Sequence, residues 1–302
     1  MPEFINHLKV FSPAKINLHL AIKDRRPDGF HDLESVFLAL DWGDELFFTW
    51  NESESEQYSE DAFSMTWFGA GGGKNFIHDN IILKVFTLFR EKTGLNMNFK
   101  VKVKKRIPIG GGLGGGSSNA AATLLFLNHA TGFPLDRDEL FIMGASLGSD
   151  VPFFLHETAA AWVTGRGEFI EPMEIPRQFI VLVNPGFPSS TKEAFHLLDE
   201  YRKLGIRNEE LQIKPHFLNP SFLTSHSSFY NDFLPVFPEK EKAVYSSIIS
   251  ELKELGADFA SLSGSGSTCF GIFKEEEQAQ MAAKVLCKKW MFAEFCRSKG
   301  FK

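Results

Sequence analysis

The chain has 302 residues, 43% of them hydrophobic and 23% charged, with a formal net charge of −6. That balance excludes intrinsic disorder and a small staple-dependent fold, and the length leaves room for two units, each with its own core. A negative total charge supplies no basic field for a phosphate backbone, so no nucleic-acid partner is expected. The cysteines, Cys269, Cys287 and Cys296, form no CxxC pair, which predicts free thiols in a reducing compartment. No basic-then-apolar leader opens the sequence and no apolar run reaches the roughly 18 residues of a membrane span, so a cytoplasmic chain with no membrane partner is expected. The 32 Phe set against 4 Tyr read as core filling.

Residues 11–22 (FSPAKINLHLAI) alternate Ile16, Leu18, Leu20 and Ile22 with Asn17, His19 and Ala21, which predicts a strand. A turn follows at Pro27, Asp28 and Gly29. Two further strands are predicted over residues 33–40 and 45–50, broken at Asp41-Trp42-Gly43-Asp44. Residues 51–61 and 69–73 read as polar or glycine-rich connections. Residues 80–90 (NIILKVFTLFR) predict a helix with Asn80 as its cap and Gly94 past its end. Phe99, Val101 and Val103 then alternate with Lys100, Lys102 and Lys104, the pattern of a strand with one face buried.

Residues 110–116 (GGGLGGG) contain six glycines in seven positions. Helices are predicted over 120–130 and 136–147, and Pro152 marks a turn or a helix's first position. Strands are expected at 159–164 and 179–184, and Gly and Pro around 165–176 place a boundary between units 1–165 and 166–302. Beyond it come a polar connection (215–228), a helix (238–255), a small-residue loop (261–268), a strand (269–273) and a helix (275–290).

The strand, glycine loop and helix in sequence form an anion cradle: backbone N–H groups reach a ligand unobstructed, and the helix start adds about half a positive charge. A nucleotide phosphate is the natural ligand. A Walker loop is excluded, because the single Gly-Lys pair, Gly73-Lys74, has Phe68 where the first glycine belongs and Asn75 after it. Gly110, Gly112 and Gly115 satisfy GxGxxG, so a nicotinamide-dependent oxidoreductase is the competing expectation. Against it, the preceding strand alternates with lysines and the loop's helix is followed by another helix. Protein-kinase HRD and DFG motifs are absent.

Three segments carry a resemblance. Residues 108–121 (PIGGGLGGGSSNAA) are similar to the phosphate-binding motif of the galactokinase, homoserine kinase, mevalonate kinase and phosphomevalonate kinase (GHMP) superfamily. Residues 12–18 (SPAKINL) resemble its N-terminal motif and 262–267 (LSGSGS) its C-terminal glycine loop. Together with DGFH (28–31) and LGSDVP (147–152), the combination resembles the 4-diphosphocytidyl-2-C-methyl-D-erythritol kinase family, with homoserine and mevalonate-type kinases as the alternative. The resemblance implies an α+β GHMP kinase fold, with an N-terminal ribosomal-protein-S5-like domain and a C-terminal ferredoxin-like domain. It also implies ATP-dependent phosphorylation of the 2-hydroxyl of a small, cytidine-diphosphate-linked substrate in the non-mevalonate isoprenoid route, and leaves a homodimer open.

Site residues follow from the same resemblance. Asp150 becomes the group that takes the hydroxyl proton and Lys15 the adjacent cation, although taken alone one is a turn acid and the other a solvated strand lysine. Pro108, Gly110, Gly111, Gly112, Leu113, Gly114, Gly115, Gly116, Ser117 and Ser118 bind the nucleotide's phosphates, with Asn80 and Lys105 as further nucleotide contacts. Phe30 and Phe195 sandwich the cytosine and His31 reads its edge, Phe30 standing where the family often has Tyr. Asn17, Gly264, Ser265 and Gly266 complete the substrate set. No protein metal ligands are visible, so Mg²⁺ is expected to arrive with ATP, held by phosphates and water.

Overall fold

A computed structural model describes residues 6–51, 63–67, 80–95, 98–204 and 229–300. The connections expected at 69–73 and 215–228, and all but Asn51 of that at 51–61, lie outside the described residues. Two long strands, β1 (Asn6–Arg25) and β2 (His31–Asn51), pair with each other. Each contributes to both of the compact units into which the chain divides: 1–14, 43–107 and 115–157 form one, and 15–42, 108–114 and 158–302 the other.

β2 corrects the prediction of two strands, since it runs unbroken through Asp41-Trp42-Gly43-Asp44. Gly43 and Asp44 serve packing here, not a turn. A Cβ on Gly43 would stand 2.1 Å from the Ser12 carbonyl oxygen, and the fully buried Asp44 carboxylate accepts from the backbone amides of Arg106 (2.7 Å) and Ile107 (2.9 Å).

In the first unit, the later part of β2 pairs antiparallel with β4 (Asn98–Lys105), and β4 pairs parallel with β3 (Phe63–Trp67), which was not predicted. Phe99, Val101 and Val103 are buried and Lys100 and Lys102 exposed, as the alternation requires. The antiparallel partner of β4 also removes the all-parallel sheet that a dinucleotide fold needs. The unit's helices are α1 (Ile81–Thr93), α2 (Gly115–Ala130), α3 (Arg137–Leu147) and α4 (Val151–Leu155); α1 and α2 meet the sheet through Phe86 on Phe99 and Phe126 on Phe48, and α3 and α4 pack on α2. Asn80 caps α1 by accepting from Ile82 N, and Gly94 ends it at φ 69°. α3 starts with a reciprocal capping box between Asp136 and Glu139. Phe126 of α2 stacks on Phe48 at 3.8 Å between centroids, one use of the many Phe residues. α2 begins at Gly115 and not at 120, so Gly115 and Gly116 form its first turn and the loop proper is 110–114.

In the second unit, the early part of β2 pairs antiparallel with β5 (Ala160–Gly165), and β5 with β6 (Phe169–Pro172). A four-stranded antiparallel sheet has the order β10-β7-β9-β8, formed by β7 (Phe179–Asn184), β8 (Phe259–Leu262), β9 (Cys269–Phe273) and β10 (Phe292–Arg297). With α5 (Thr191–Lys203), α6 (Glu239–Glu254) and α7 (Glu276–Leu286), its chain order contains β7-α6-β8-β9-α7-β10, the split βαβ arrangement of a ferredoxin-like fold. β6, α5, β8 and β10 were not predicted, so the loop expected at 261–268 begins only after Leu262, and α7 ends at Leu286, short of the expected 290. An isolated bridge joins Leu40 to Ser298, and Lys299 N donates to the Ala39 carbonyl at 2.7 Å. The core of this unit gathers Val181, Val183, Leu198, Phe233, Tyr245, Ile248, Leu262 and Phe273.

Candidate active site

Four successive carbonyls of the glycine loop are engaged within the second unit. Gly110 O accepts from Ser189 N (2.9 Å) and Ser267 N (3.2 Å), Gly111 O from Thr268 N (3.1 Å), Gly112 O from Ser263 Oγ (2.9 Å) and Leu113 O from Lys15 N (3.0 Å). The loop 261–268 is therefore the support on which the glycine loop rests. Gly112 shows why a side chain is excluded there: its φ is 73°, and a Cβ would lie 2.1 Å from Ser263 O. Gly264 and Gly266 also have positive φ, and the Ser265 carbonyl accepts from Ser189 Oγ at 2.6 Å. Pro108 and Gly114 lie at the two ends of this segment.

The chain then enters α2 in the first unit. Its first turn, Gly115, Gly116, Ser117 and Ser118, contains no acidic residue, which leaves the positive end of the helix uncompensated by side-chain charge. Ser12 Oγ lies 2.7 Å from both Ser118 Oγ and Asn119 Oδ1, so the SPAKIN segment pins the helix start. Lys105 is buried, not solvated: its Nζ donates to Asp44 Oδ2 and to Ile107 O, both at 2.7 Å. Burial pulls its ammonium below the usual lysine range, with the Asp44 carboxylate opposing the shift. A Cβ on Gly115 would come within 3.1 Å of that ammonium, so the helix start sits directly over it. Asn80 spends its side-chain oxygen on the α1 cap.

Asp150 occupies the N-cap position of α4 with φ −88° and ψ −9°, and its side chain makes no capping hydrogen bond. Pro152 falls in the first turn of α4, as expected. Within this unit, a Cβ on Gly148 would lie 3.6 Å from Ser117 Oγ, which places the turn carrying Asp150 beside the start of α2.

Lys15 belongs to the second unit and is buried. Its Nζ donates to Asn17 Oδ1 (2.7 Å) and stands 4.2 Å from the centroid of Phe37. Residues two apart on a strand share a face, which is how Lys15 and Asn17 come together. Asn17 Nδ2 donates to Ser35 Oγ (2.9 Å), and its backbone N reaches Ser263 Oγ at 3.4 Å.

His31, at the start of β2, is buried and stacks on Phe195 of α5 at 5.0 Å between centroids. Its Nε2 lies 2.8 Å from Asp199 Oδ1, one helical turn beyond Phe195. Phe30 is 53% exposed, with the Arg166 guanidinium 4.9 Å from its ring centroid. The second unit thus unites Lys15 with Asn17, the glycine loop with Gly264–Gly266, and His31 with Phe195, whereas Asp150 lies in the other unit. Sequence reasoning missed Ser12, Ser35, Asp44, Asp199, Ser263 and Thr268. Their signals were small polar residues in apolar company, or, for Asp199, the helical spacing from Phe195.

Among the described residues, no group of three or more His, Cys, Asp or Glu side chains forms a metal-holding cluster, and no helix is long and apolar enough to cross a membrane. The family model for the GHMP kinases N terminal domain matches residues 80–158, and that for the GHMP kinases C terminal matches 226–290. The 4-diphosphocytidyl-2-C-methyl-D-erythritol kinase of Syntrophus aciditrophicus (strain SB) is 35% identical, with 96% of this chain and 98% of that protein covered. The chloroplastic enzyme of the same name from Arabidopsis thaliana is 36% identical over 89% of this chain and 68% of its own length. A solved 4-(cytidine 5'-diphospho)-2C-methyl-D-erythritol kinase structure superposes with a TM-score of 0.72 at 26% identity, covering 97% of this chain and all 100% of that one. With its α+β fold, its pinned glycine loop and near-complete coverage at this identity, the chain belongs to the 4-diphosphocytidyl-2-C-methyl-D-erythritol kinase family of GHMP kinases.

Proposed function

We propose that the chain transfers the terminal phosphoryl group of ATP to the 2-hydroxyl of 4-diphosphocytidyl-2-C-methyl-D-erythritol, a step of the non-mevalonate route to isoprenoid precursors. The observation that carries this reading is the glycine loop itself. Its carbonyls at 110–113 are committed to one side, and it leads into a helix start that lacks acidic charge. In this reading the amides and hydroxyls from Gly110 to Ser118 hold the phosphates, with Pro108 shaping the loop's entry and Asn80 and Lys105 supporting the nucleotide side. Mg²⁺ carried in with ATP would be held by phosphates and water and would supply charge neutralisation at the transferring group.

Asp150 takes the proton of the attacking hydroxyl as its oxygen bonds to the γ-phosphorus and the bond to the bridging oxygen of ADP breaks. Lys15 supplies positive charge and orients the hydroxyl. Proton transfer runs late, in keeping with a loose transition state. Phe30 and Phe195 flank the cytosine and His31 reads its edge, while Asn17, Gly264, Ser265 and Gly266 meet the rest of the acceptor. Residues 1–165 supply ATP binding and catalysis and 166–302 the C-terminal kinase domain, in the cytoplasm, whether as a monomer or a homodimer.

The test is an ADP-release assay with the methylerythritol substrate. Asp150→Ala is expected to abolish substrate-dependent ADP release with an unchanged melting temperature; retained turnover removes Asp150 from its role. Competition by CDP separates this substrate class from homoserine or mevalonate, which carry no cytidine.

A further inference from the structure

The carboxamide of Asn17 has only one orientation that satisfies its two neighbours: Lys15 demands the oxygen, and Ser35 takes the NH₂. A lysine ammonium only donates, so Asn17 must turn Oδ1 toward Lys15 Nζ, 2.7 Å away. The NH₂ group then faces Ser35 Oγ at 2.9 Å. A serine hydroxyl has one proton, and that of Ser35 goes to the His19 carbonyl oxygen at 2.5 Å, which leaves its lone pairs for Asn17. All of this is sealed from water, with Lys15 at 4%, Asn17 at 3% and Ser35 at 0% exposure. The relay runs from the His19 carbonyl of β1 through Ser35 of β2 and Asn17 of β1 to the ammonium.

We infer that Ser35 is a positioning residue for phosphoryl transfer: by accepting from Asn17 Nδ2 and donating to the His19 carbonyl, it holds Asn17 Oδ1 on Lys15 and so fixes where the Lys15 ammonium sits. The inference rests on the role given to Lys15 under the proposed function. Without the Ser35 hydroxyl, Asn17 Nδ2 has an unpaired buried proton and the carboxamide loses the anchor that holds its oxygen squarely on the ammonium. Thr at this position keeps the hydroxyl, and its β-branch suits a strand. Asp in place of Asn17 breaks the parity differently, because Ser35 then faces two acceptors with a single proton.

The experiment is a kinetic double-mutant cycle with the methylerythritol substrate, joined to a measurement that needs no turnover. Ser35→Ala is expected to lower kcat about tenfold, the size of one lost buried hydrogen bond, with the KM for ATP unchanged. In an Asn17→Ala background the same change should lower kcat less than about twofold, because the residue through which Ser35 acts is gone. Ser35→Thr is expected to restore kcat to within about threefold of the unmodified chain. An equal fall in both backgrounds, or a fall in melting temperature with kcat intact, overturns the inference. The second measurement follows solvent exchange of the Asn17 Nδ2 protons by NMR in the ligand-free, full-length chain. Ser35→Ala should accelerate it, and an unmoved exchange rate overturns the inference whatever the activity. Absence of any turnover by the unmodified chain is a separate result: it defeats the kinase reading and leaves the exchange measurement to judge Ser35.

Discussion

Asp44 Oδ2 and Lys105 Nζ lie 2.7 Å apart as a buried ion pair, 61 positions apart in the chain, directly beneath the start of α2. The two partners are unequal. Asp44 also accepts from two backbone amides, whereas Lys105 has one further partner, the Ile107 carbonyl. Asp44→Ala strips a buried ammonium and two amides of their acceptor and is expected to destabilise by about 3–5 kcal/mol. Lys105→Met leaves Asp44 its amide partners, and the expected loss is smaller, about 1–3 kcal/mol. Urea unfolding midpoints of the two variants, at equal m, check the order; a more damaging lysine change contradicts it.

His19 predicts an acid sensitivity. It is buried among Trp162, Phe229 and Tyr230, and its pKa is lowered to about 4 by burial first and by the Lys23 charge second. Its Nε2 has no partner among the described residues. Between about pH 4 and 6.5 the unfolded chain binds a proton that the folded chain does not, so stability is fully present above 6.5 and is lost as pH falls toward about 4. From pH 7.5 to pH 5 the loss from this residue is about 2 kcal/mol. His19→Phe should remove that part of the pH dependence. A stability curve of the variant as steep as that of the unmodified chain contradicts the assignment.

Gly112 and Gly94 both have positive φ, 73° and 69°, but only Gly112 faces an obstacle. Nothing lies within 4 Å of a Cβ at Gly94, so Gly94→Ala meets only the backbone strain of about 1 kcal/mol. At Gly112 the Ser263 carbonyl blocks the new methyl, so the loop must leave its support. Gly112→Ala is expected to reduce kcat/KM at least about a hundredfold, as misplaced reacting groups do, with Gly94→Ala near normal. Similar kinetics in the two variants would show that the support at 263–268 is dispensable.

Phe30 stands out because an apolar ring is left half in water beside Arg166. Removing it exposes little new surface, so Phe30→Ala is expected to change stability by less than about 0.5 kcal/mol. If the ring stacks on the cytosine, the KM for the substrate rises about tenfold or more, since base stacking contributes roughly 1–3 kcal/mol, while the KM for ATP stays put. Steady-state kinetics against each substrate in turn decides this; equal shifts in both KM values speak against stacking.

Much of this arrangement was legible because it depends on local pattern. The alternation at 99–104, the Asn80 cap and the Gly94 stop of α1 each involve neighbours a few residues apart, and the structure keeps them. The break expected in β2 failed because Gly43 and Asp44 are turn residues by local chemistry, while their reasons here are the remote Ser12 carbonyl and the amides of Arg106 and Ile107. Likewise Lys105 looks solvated at the end of a lysine-alternating strand until Asp44 is placed beside it. The glycine loop announced an anion cradle, yet nothing in its seven residues says that 261–268 holds its carbonyls. β10 went unseen because its burial is partial on both faces and its pairing with β7 is made at long range.

The antiparallel pairing of β10 with β7, the Leu40 bridge to Ser298 and the Lys299 bond to Ala39 also impose a schedule. A ribosome delivers β2 and β7 long before residues 292–299, so during synthesis those strands present open edges that only late-made chain can cover. Contacts of such long sequence separation make folding slow. The edge of β7 therefore stays unpaired in the nascent chain until residues 292–297 have docked.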